Sequence, residues 1–258
     1  MAQPKIVVVD YHKGNLSSVV RGLTRAGANA VASDDPQVIR DADGLIVPGV
    51  GAFYDAAAFM AQSGQATAIA EAVAAGKPLL GICLGLQLLF DRGDEGVPAN
   101  APVAATADPY GTDLAVGQVF EDAGKRWVRG LGLLHGSCTR LESSRLKVPH
   151  VGWDQVHLTA AGRDNMLLMG FAEGANMYFT HSYAVDDDAR AENALASTHY
   201  VRSFPCVAHA GNVYGCQFHP EKSSARGLQI LKNFVCIVEG AAAGAGSGTN
   251  AAAKEARA

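Results

Sequence analysis

The chain has 258 residues and 48% hydrophobic content, enough for one large buried core or two small ones. A formal charge of −4 and an isoelectric point near 6.0, with Lys and Arg scattered rather than clustered, give no reason to expect nucleic-acid binding. No apolar run is long enough to span a bilayer, no signal peptide precedes the first strand, and the five cysteines show no CxxC pairing. Neither a disulfide framework nor a zinc knuckle is expected, and a reducing, cytoplasmic compartment follows.

Residues 5–10 read as a compact apolar strand, and Asn15-Leu16-Ser17-Ser18 opens a helix that Gly27 ends. Residues 30–33 form a second short strand, 36–41 a short helix, and 44–47 a third strand stopped by Pro48. The loop Pro48-Gly49-Val50-Gly51, a helix over about 55–75 and a strand ending at Cys83 complete the first half. This strand-helix alternation predicts a parallel sheet covered on both faces. Ligands of such sheets bind beyond the carboxyl ends of the strands, where Asp10, the Pro48 loop and Cys83 fall.

Residues 97–126 mix Pro, Ala, Gly and Asp with little periodicity and read as an inserted surface excursion. Beyond it, residues 131–134, 138–141, 155–158, 177–185 and 194–200 look extended, and 207–213 reads as a hairpin with a Gly-Asn turn. A last helix is expected over 224–238, with Leu228, Leu231, Phe234 and Val235 on one face. The expected organisation is an α/β domain over residues 1–240 and a flexible Ala/Gly-rich tail over 241–258. Its sheet is expected to be mixed and mainly parallel, flanked by helices, with a set of antiparallel strands from the second half.

Two motifs carry chemistry. In Gly81-Ile82-Cys83-Leu84-Gly85-Leu86-Gln87 a single cysteine stands between glycines where a strand turns into a helix, the layout of a nucleophile elbow. Leu86, Leu89 and Phe90 continue at helical spacing to Gly93. Backbone N–H groups at a first helical turn stabilise an anion, so the position suits a reactive thiolate, although a buried structural cysteine is the commoner fate of a free thiol. Far along the chain, a strand over 213–218 runs into His219-Pro220-Glu221. Residues two apart on extended chain point to one side, so Glu221 can orient the His219 ring and leave its other nitrogen free as a base. A His-x-Glu pair is weak by itself; beside an elbow cysteine it suggests a triad.

These two motifs resemble the signatures of the class I glutamine amidotransferases. The segments 10–19, Pro48-Gly49-Val50-Gly51-Ala52-Phe53, Lys147-Val148-Pro149-His150-Val151-Gly152-Trp153 and Tyr178-Phe179-Thr180-His181-Ser182-Tyr183 narrow the resemblance to the glutaminase subunits of imidazole glycerol phosphate synthase. It runs in order over residues 5–238. The departures are the 97–126 excursion, the tail, and His12-Lys13 where such subunits often carry a glycine-containing pair.

The resemblance implies a Cys83, His219, Glu221 triad that hydrolyses glutamine through a thioester on Cys83. Oxyanion donors would come from Leu84 and from Val50 or Gly51, and substrate contacts from Gly49, Gln87, Glu95, Ser182 and Tyr183. Gly49 read alone also suits a plain tight turn, and Gln87 an exposed helix position. No metal or organic cofactor is implied. Ammonia released into water is mostly protonated and no longer nucleophilic, so a protected consumer is needed. The resemblance supplies one, a (β/α)₈-barrel cyclase subunit in a heterodimer. It combines the ammonia with a phosphoribulosyl-formimino-aminoimidazole carboxamide nucleotide to give imidazole glycerol phosphate and aminoimidazole carboxamide ribotide. Asn15, Trp153 and Lys222 are the candidate docking residues, with a core position the alternative for Trp153. Other glutaminases of the class, a Cys-His-Glu peptidase, and an inactive binding subunit on the same fold are the competing readings.

Overall fold

The computed structural model describes residues 3–13 and 16–255, with side chains described to residue 243. In chain order the first half comprises β1 (Lys5–Val9), α1 (Leu16–Ala26), β2 (Asn29–Ser33), α2 (Pro36–Arg40), β3 (Gly44–Val47), α3 (Phe53–Gln62), α4 (Gln65–Ala74), β4 (Leu79–Ile82), α5 (Leu84–Leu88) and β5 (Phe90–Gly93). There follow β6 (Val119–Asp122), β7 (Lys125–Arg129), β8 (Leu134–Arg140), β9 (His150–Leu158), α6 (Ala160–Arg163), β10 (Ala175–His181), β11 (Tyr183–Val185), β12 (Ala194–His199), β13 (Ser203–Ala210), β14 (Val213–Cys216) and α7 (Ser224–Glu255).

The strands form a nine-stranded sheet in the order β10-β9-β12-β13-β14-β4-β3-β1-β2 and a five-stranded sheet in the order β11-β8-β5-β7-β6. In the larger sheet every pairing from β2 through β1, β3 and β4 to β14 is parallel. From β14 through β13, β12 and β9 to β10 every pairing is antiparallel. Strands β1, β3 and β4 are buried on both faces, which explains their unbroken apolar runs. Alternate residues feed two cores. Ile6, Val8, Ile46 and Leu80 pack with Leu23 of α1 and Leu231 and Phe234 of α7. Val7, Val9, Leu45 and Leu79 face Phe53 and Met60 of α3 and Ile69 of α4.

Several expectations change. The single helix over 55–75 is two helices, broken at Gly64, whose φ of 77° is open to glycine at little cost. The apolar spacing after Cys83 does not sustain a helix to Gly93: α5 stops at Leu88, and residues 90–93 pair with β8 and β7 instead. The extended run over 177–185 is divided at Ser182, so that β10 belongs to the larger sheet and β11 to the smaller. The excursion ends in the β6–β7 hairpin, with Phe120 and Trp127 buried. The Arg92 guanidinium lies between the Tyr110 and Trp127 rings, 4.6 Å and 4.0 Å from their centroids, tying the excursion to β5. The last helix, expected over 224–238, runs on as α7 to Glu255, into the stretch expected to be a flexible tail. Among the described residues no helix is long and apolar enough to cross a membrane.

Candidate active site

Strand β4 ends at Cys83, and the backbone turns there with φ 56° and ψ −110°, a conformation costly for a residue bearing a Cβ. The turn is pinned on both sides. The Cys83 N–H donates to Cys216 O of β14 at 2.8 Å, and the Gln87 N–H to Cys83 O at 3.2 Å. Close packing beneath it requires glycine: a Cβ on Gly85 would lie 1.8 Å from Val47 O. A Cβ on Gly49 would lie 2.5 Å from Leu84 Cβ, so the Pro48 loop rests directly on the elbow. Tyr11 donates its hydroxyl to Pro48 O at 2.6 Å and holds the root of that loop.

Cys83 is 5% exposed and lines a cavity of about 200 Å³, sized for a small ligand. Its walls bring together Val50, Gly51, Leu84, Gln87, Glu95, Ser182 and Tyr183, all expected from the sequence, with Thr180 and His181, which were not. Gly49 lies outside this wall and borders a much smaller neighbouring cavity with Val50, His219 and Glu221. Gln87 is 3% exposed, which removes the surface-residue alternative for it. Asn15 lies outside the described residues.

His219 and Glu221 form a buried pair, each side chain 3% exposed, with Nδ1 and Oε1 2.8 Å apart. His219 Nε2 is buried and holds no hydrogen bond among the described residues, which leaves it as the proton-transfer position. Burial pulls the imidazole down, but interaction with the Cys83 sulfur and the Glu221 carboxylate outweighs it and raises the His219 pKa to about 9. The shift favours the protonated ring.

Two groups meet the sulfur with opposite preferences. The thiol donates to Thr180 O at 3.7 Å, whereas Gln217 Nε2 donates to the sulfur at 3.7 Å and so favours its ionised form. Gln217 is fully buried, and sequence reasoning did not single it out. The available signal was a polar side chain inside an otherwise apolar strand, which must find a partner.

At the far side of the cavity Glu95 Oε2 accepts the Phe53 N–H at 3.2 Å, at the start of α3. Desolvation dominates nonetheless, and with Asp94 and Asp55 nearby it raises the Glu95 carboxyl to about 7. A carboxylate there offers a counter-charge to an ammonium group. On β9, next to the sheet edge, Trp153 is 53% exposed, which removes the core alternative. It meets Tyr178 edge-on at 6.0 Å, and Lys222 Nζ lies 5.9 Å from the same ring. Tyr178 O in turn accepts the His219 N–H at 2.9 Å, so this surface patch abuts the buried pair through one peptide group. Among the described residues no group of three or more His, Cys, Asp or Glu side chains is arranged to hold a metal ion.

The family model for glutamine amidotransferase class-I matches residues 7–238. The chain is 42% identical to the imidazole glycerol phosphate synthase subunit HisH of Methanosarcina acetivorans, covering 90% of this chain and 98% of that protein. It is 41% identical to the protein of the same name from Symbiobacterium thermophilum, over 89% and 92% of the two chains. Among solved structures, a glutamine amidotransferase aligns with a TM-score of 0.62 over 90% of this chain and 98% of its own, at 16% identity. The structure of PurLQS from Thermotoga maritima aligns with a TM-score of 0.61 at 17% identity, over 92% of this chain and 100% of its own. These two likenesses concern the fold.

Proposed function

The chain belongs to the class I glutamine amidotransferase family, and from that premise we propose that it is the glutaminase subunit of an imidazole glycerol phosphate synthase. It hydrolyses glutamine to glutamate and delivers the ammonia to a cyclase partner in histidine biosynthesis. The observation that carries the reading is the buried His219–Glu221 pair with its free Nε2 beside an elbow cysteine. The level of identity to subunits of that name over nine-tenths of the chain selects the pathway.

In this mechanism the Cys83 thiolate attacks the side-chain amide carbon of glutamine. The His219 imidazolium gives its Nε2 proton to the departing nitrogen, and ammonia leaves a thioester on Cys83. His219, now neutral, takes a proton from water, which attacks the thioester and releases glutamate, while Glu221 holds the ring in position. Both tetrahedral intermediates carry an oxyanion. We assign its donors to the Leu84 amide, which opens the first turn of α5, and to an amide of the Val50-Gly51 segment. Gln87 and Glu95 take the amino-acid end of the substrate, with Ser182 and Tyr183 lining the pocket.

The partner is a (β/α)₈-barrel cyclase subunit docking over Trp153, Lys222 and Asn15 and receiving ammonia away from bulk water. Residues 1–240 act as one amidotransferase domain, with the 97–126 segment as an elaboration of the smaller sheet. Four buried cysteines and one exposed one, all unpaired, suit a reducing cytoplasm.

The test is glutamate release from glutamine, with and without the cyclase subunit and its nucleotide ligand, by this chain and by Cys83→Ala. Release that rises with the liganded partner and vanishes in the variant is expected. No release under any condition from folded proteins would overturn the reading and favour a binding subunit; peptide cleavage instead would favour a peptidase.

A further inference from the structure

Gln217 touches the sulfur but has no part in the reaction outlined above. Its main chain is fixed by an N–H bond to Cys206 O at 2.9 Å, and its amide lies between Gln87 and Cys83. The identity of each amide atom follows from the far end of the chain of contacts. Tyr183 O is a carbonyl and can only accept, so the Gln87 atom 2.7 Å from it is the nitrogen. That same Gln87 Nε2 lies 3.2 Å from one terminal atom of Gln217, which must then be Oε1. The remaining atom of Gln217, directed at Cys83, is therefore its NH₂ group. Tyr183 O also accepts from His181 Nδ1 at 2.8 Å, so two buried donors share the anchor and neither amide can turn over without losing a bond.

We propose that Tyr183 O, Gln87 and Gln217 form an oriented amide relay that presents an N–H, and never a carbonyl oxygen, to the Cys83 sulfur. The relay makes Gln217 a positioning and activating donor for the nucleophile, and it rests on the glutaminase reading above for its role in turnover. As the Cys83 proton passes to His219 Nε2 and the thiolate forms, the S–H bond to Thr180 O is lost and the Gln217 N–H becomes a charge-assisted donor. Gln87 then has two duties, since it lines the substrate cavity while setting the direction of the group behind the nucleophile.

The experiment is alkylation of Cys83 by iodoacetamide, followed by peptide mass spectrometry across a range of pH, in the parent chain, Gln217→Glu, Gln217→Met and Gln87→Met. Glutamate release is measured on the same samples with the cyclase subunit. Losing a hydrogen bond to a charged group corresponds to about tenfold or more, so both Gln217 variants should alkylate about tenfold more slowly at neutral pH. Their alkylation should rise only at higher pH, and kcat should fall with little change in KM. Gln217→Glu keeps the bond from Gln87 and the shape of the site while replacing the donor with an acidic acceptor, so it reports on the sulfur contact, with added charge, even if Gln217→Met fails to fold, and Gln217→Met isolates the lost donor. Gln87→Met, which never touches the sulfur, should also slow alkylation in the absence of glutamine. Parental alkylation rates and pH profile in a folded Gln217 variant would overturn the relay, as would a parental rate in Gln87→Met. Slower alkylation in the variants of a parent that releases no glutamate would leave the relay standing and sink the glutaminase reading instead.

Discussion

Glu221 Oε1 lies 2.8 Å from His219 Nδ1 in a pair from which water is excluded, and the imidazole is held to about 9 in part by that carboxylate. A group raised in the folded state contributes stability that is present below its unfolded value and lost as pH rises through its folded value. On the proposed mechanism, the imidazolium that protonates the leaving nitrogen would therefore be available at neutral pH and lost as pH rises through about 9. Glutamate release should show an alkaline limb there. Glu221→Gln should move that limb to lower pH and reduce kcat by about 10²–10⁴-fold, the range typical of general acid–base catalysis. An unchanged limb in a folded Glu221→Gln protein would separate the carboxylate from catalysis.

The elbow backbone gives a test that needs no substrate. At φ 56° and ψ −110° an L-residue is strained and glycine is not, which reverses the usual order of alanine and glycine in stability. Cys83→Gly should be more stable than Cys83→Ala by about 1 kcal/mol, within the range of about 1–3 kcal/mol for residues held in such conformations. Both should lack activity. Chemical denaturation of the two variants decides it, and alanine as the more stable would argue against stored strain at the nucleophile.

Glu95 carries a prediction about substrate affinity. Its carboxyl is raised to about 7 from 4.5, mainly by burial, so the stability linked to it is present below its unfolded value and lost as pH rises through about 7. Holding the substrate ammonium requires the opposite, ionised form. KM for glutamine should therefore rise by up to about tenfold per pH unit below about 7, and glutamine binding should displace a proton from Glu95 near that pH. Glu95→Gln should raise KM and flatten this dependence. A pH-independent KM in the parent would remove Glu95 from the ammonium site.

Trp153 and Lys222 flank the Tyr178 ring, and the Tyr178 carbonyl holds the His219 amide. Trp153→Ala should weaken association with the cyclase subunit by about 2 kcal/mol or more if the ring is an interface anchor. Release of glutamate by the free chain should change little, because the exposed ring is no part of the cavity wall. Titration calorimetry and a stimulated against unstimulated rate comparison measure the two effects.

The parts of this molecule legible from sequence are those in which local and global signals coincide. Strands β3 and β4 are bounded by proline or glycine and buried on both faces, so their apolar runs had one interpretation. His219 and Glu221 meet as expected but by a different geometry: the strand ends at Cys216 rather than running on to residue 218, and Pro220–Lys222 forms a 3₁₀ turn that brings the carboxylate back to the ring. Phe90 misled because its spacing from Leu86 and Leu89 is helical, while pairing with Leu134 of β8 draws it into a strand. The α3–α4 break was hidden by alanine-rich sequence on both sides of Gly64. Hairpin β6–β7 was masked by its Pro/Gly surroundings, and its stability comes from distant partners such as Arg92. Thr180 acts through its carbonyl oxygen, a group every residue possesses, so no side-chain signal identified it.

The packing of Gly49 on Leu84 and of Gly85 on Val47 has a consequence for how a partner's signal can arrive. With Tyr11 hydrogen-bonded to the Pro48 carbonyl, the strand end, the loop root and the helix behind the thiol are packed in direct contact. The latitude left between them begins at Val50, 42% exposed, and ends at Gly51, whose φ of 112° few other residues tolerate. In the proposed complex, the shortest route from the docking face to the reacting carbonyl would therefore run through the single Val50–Gly51 peptide.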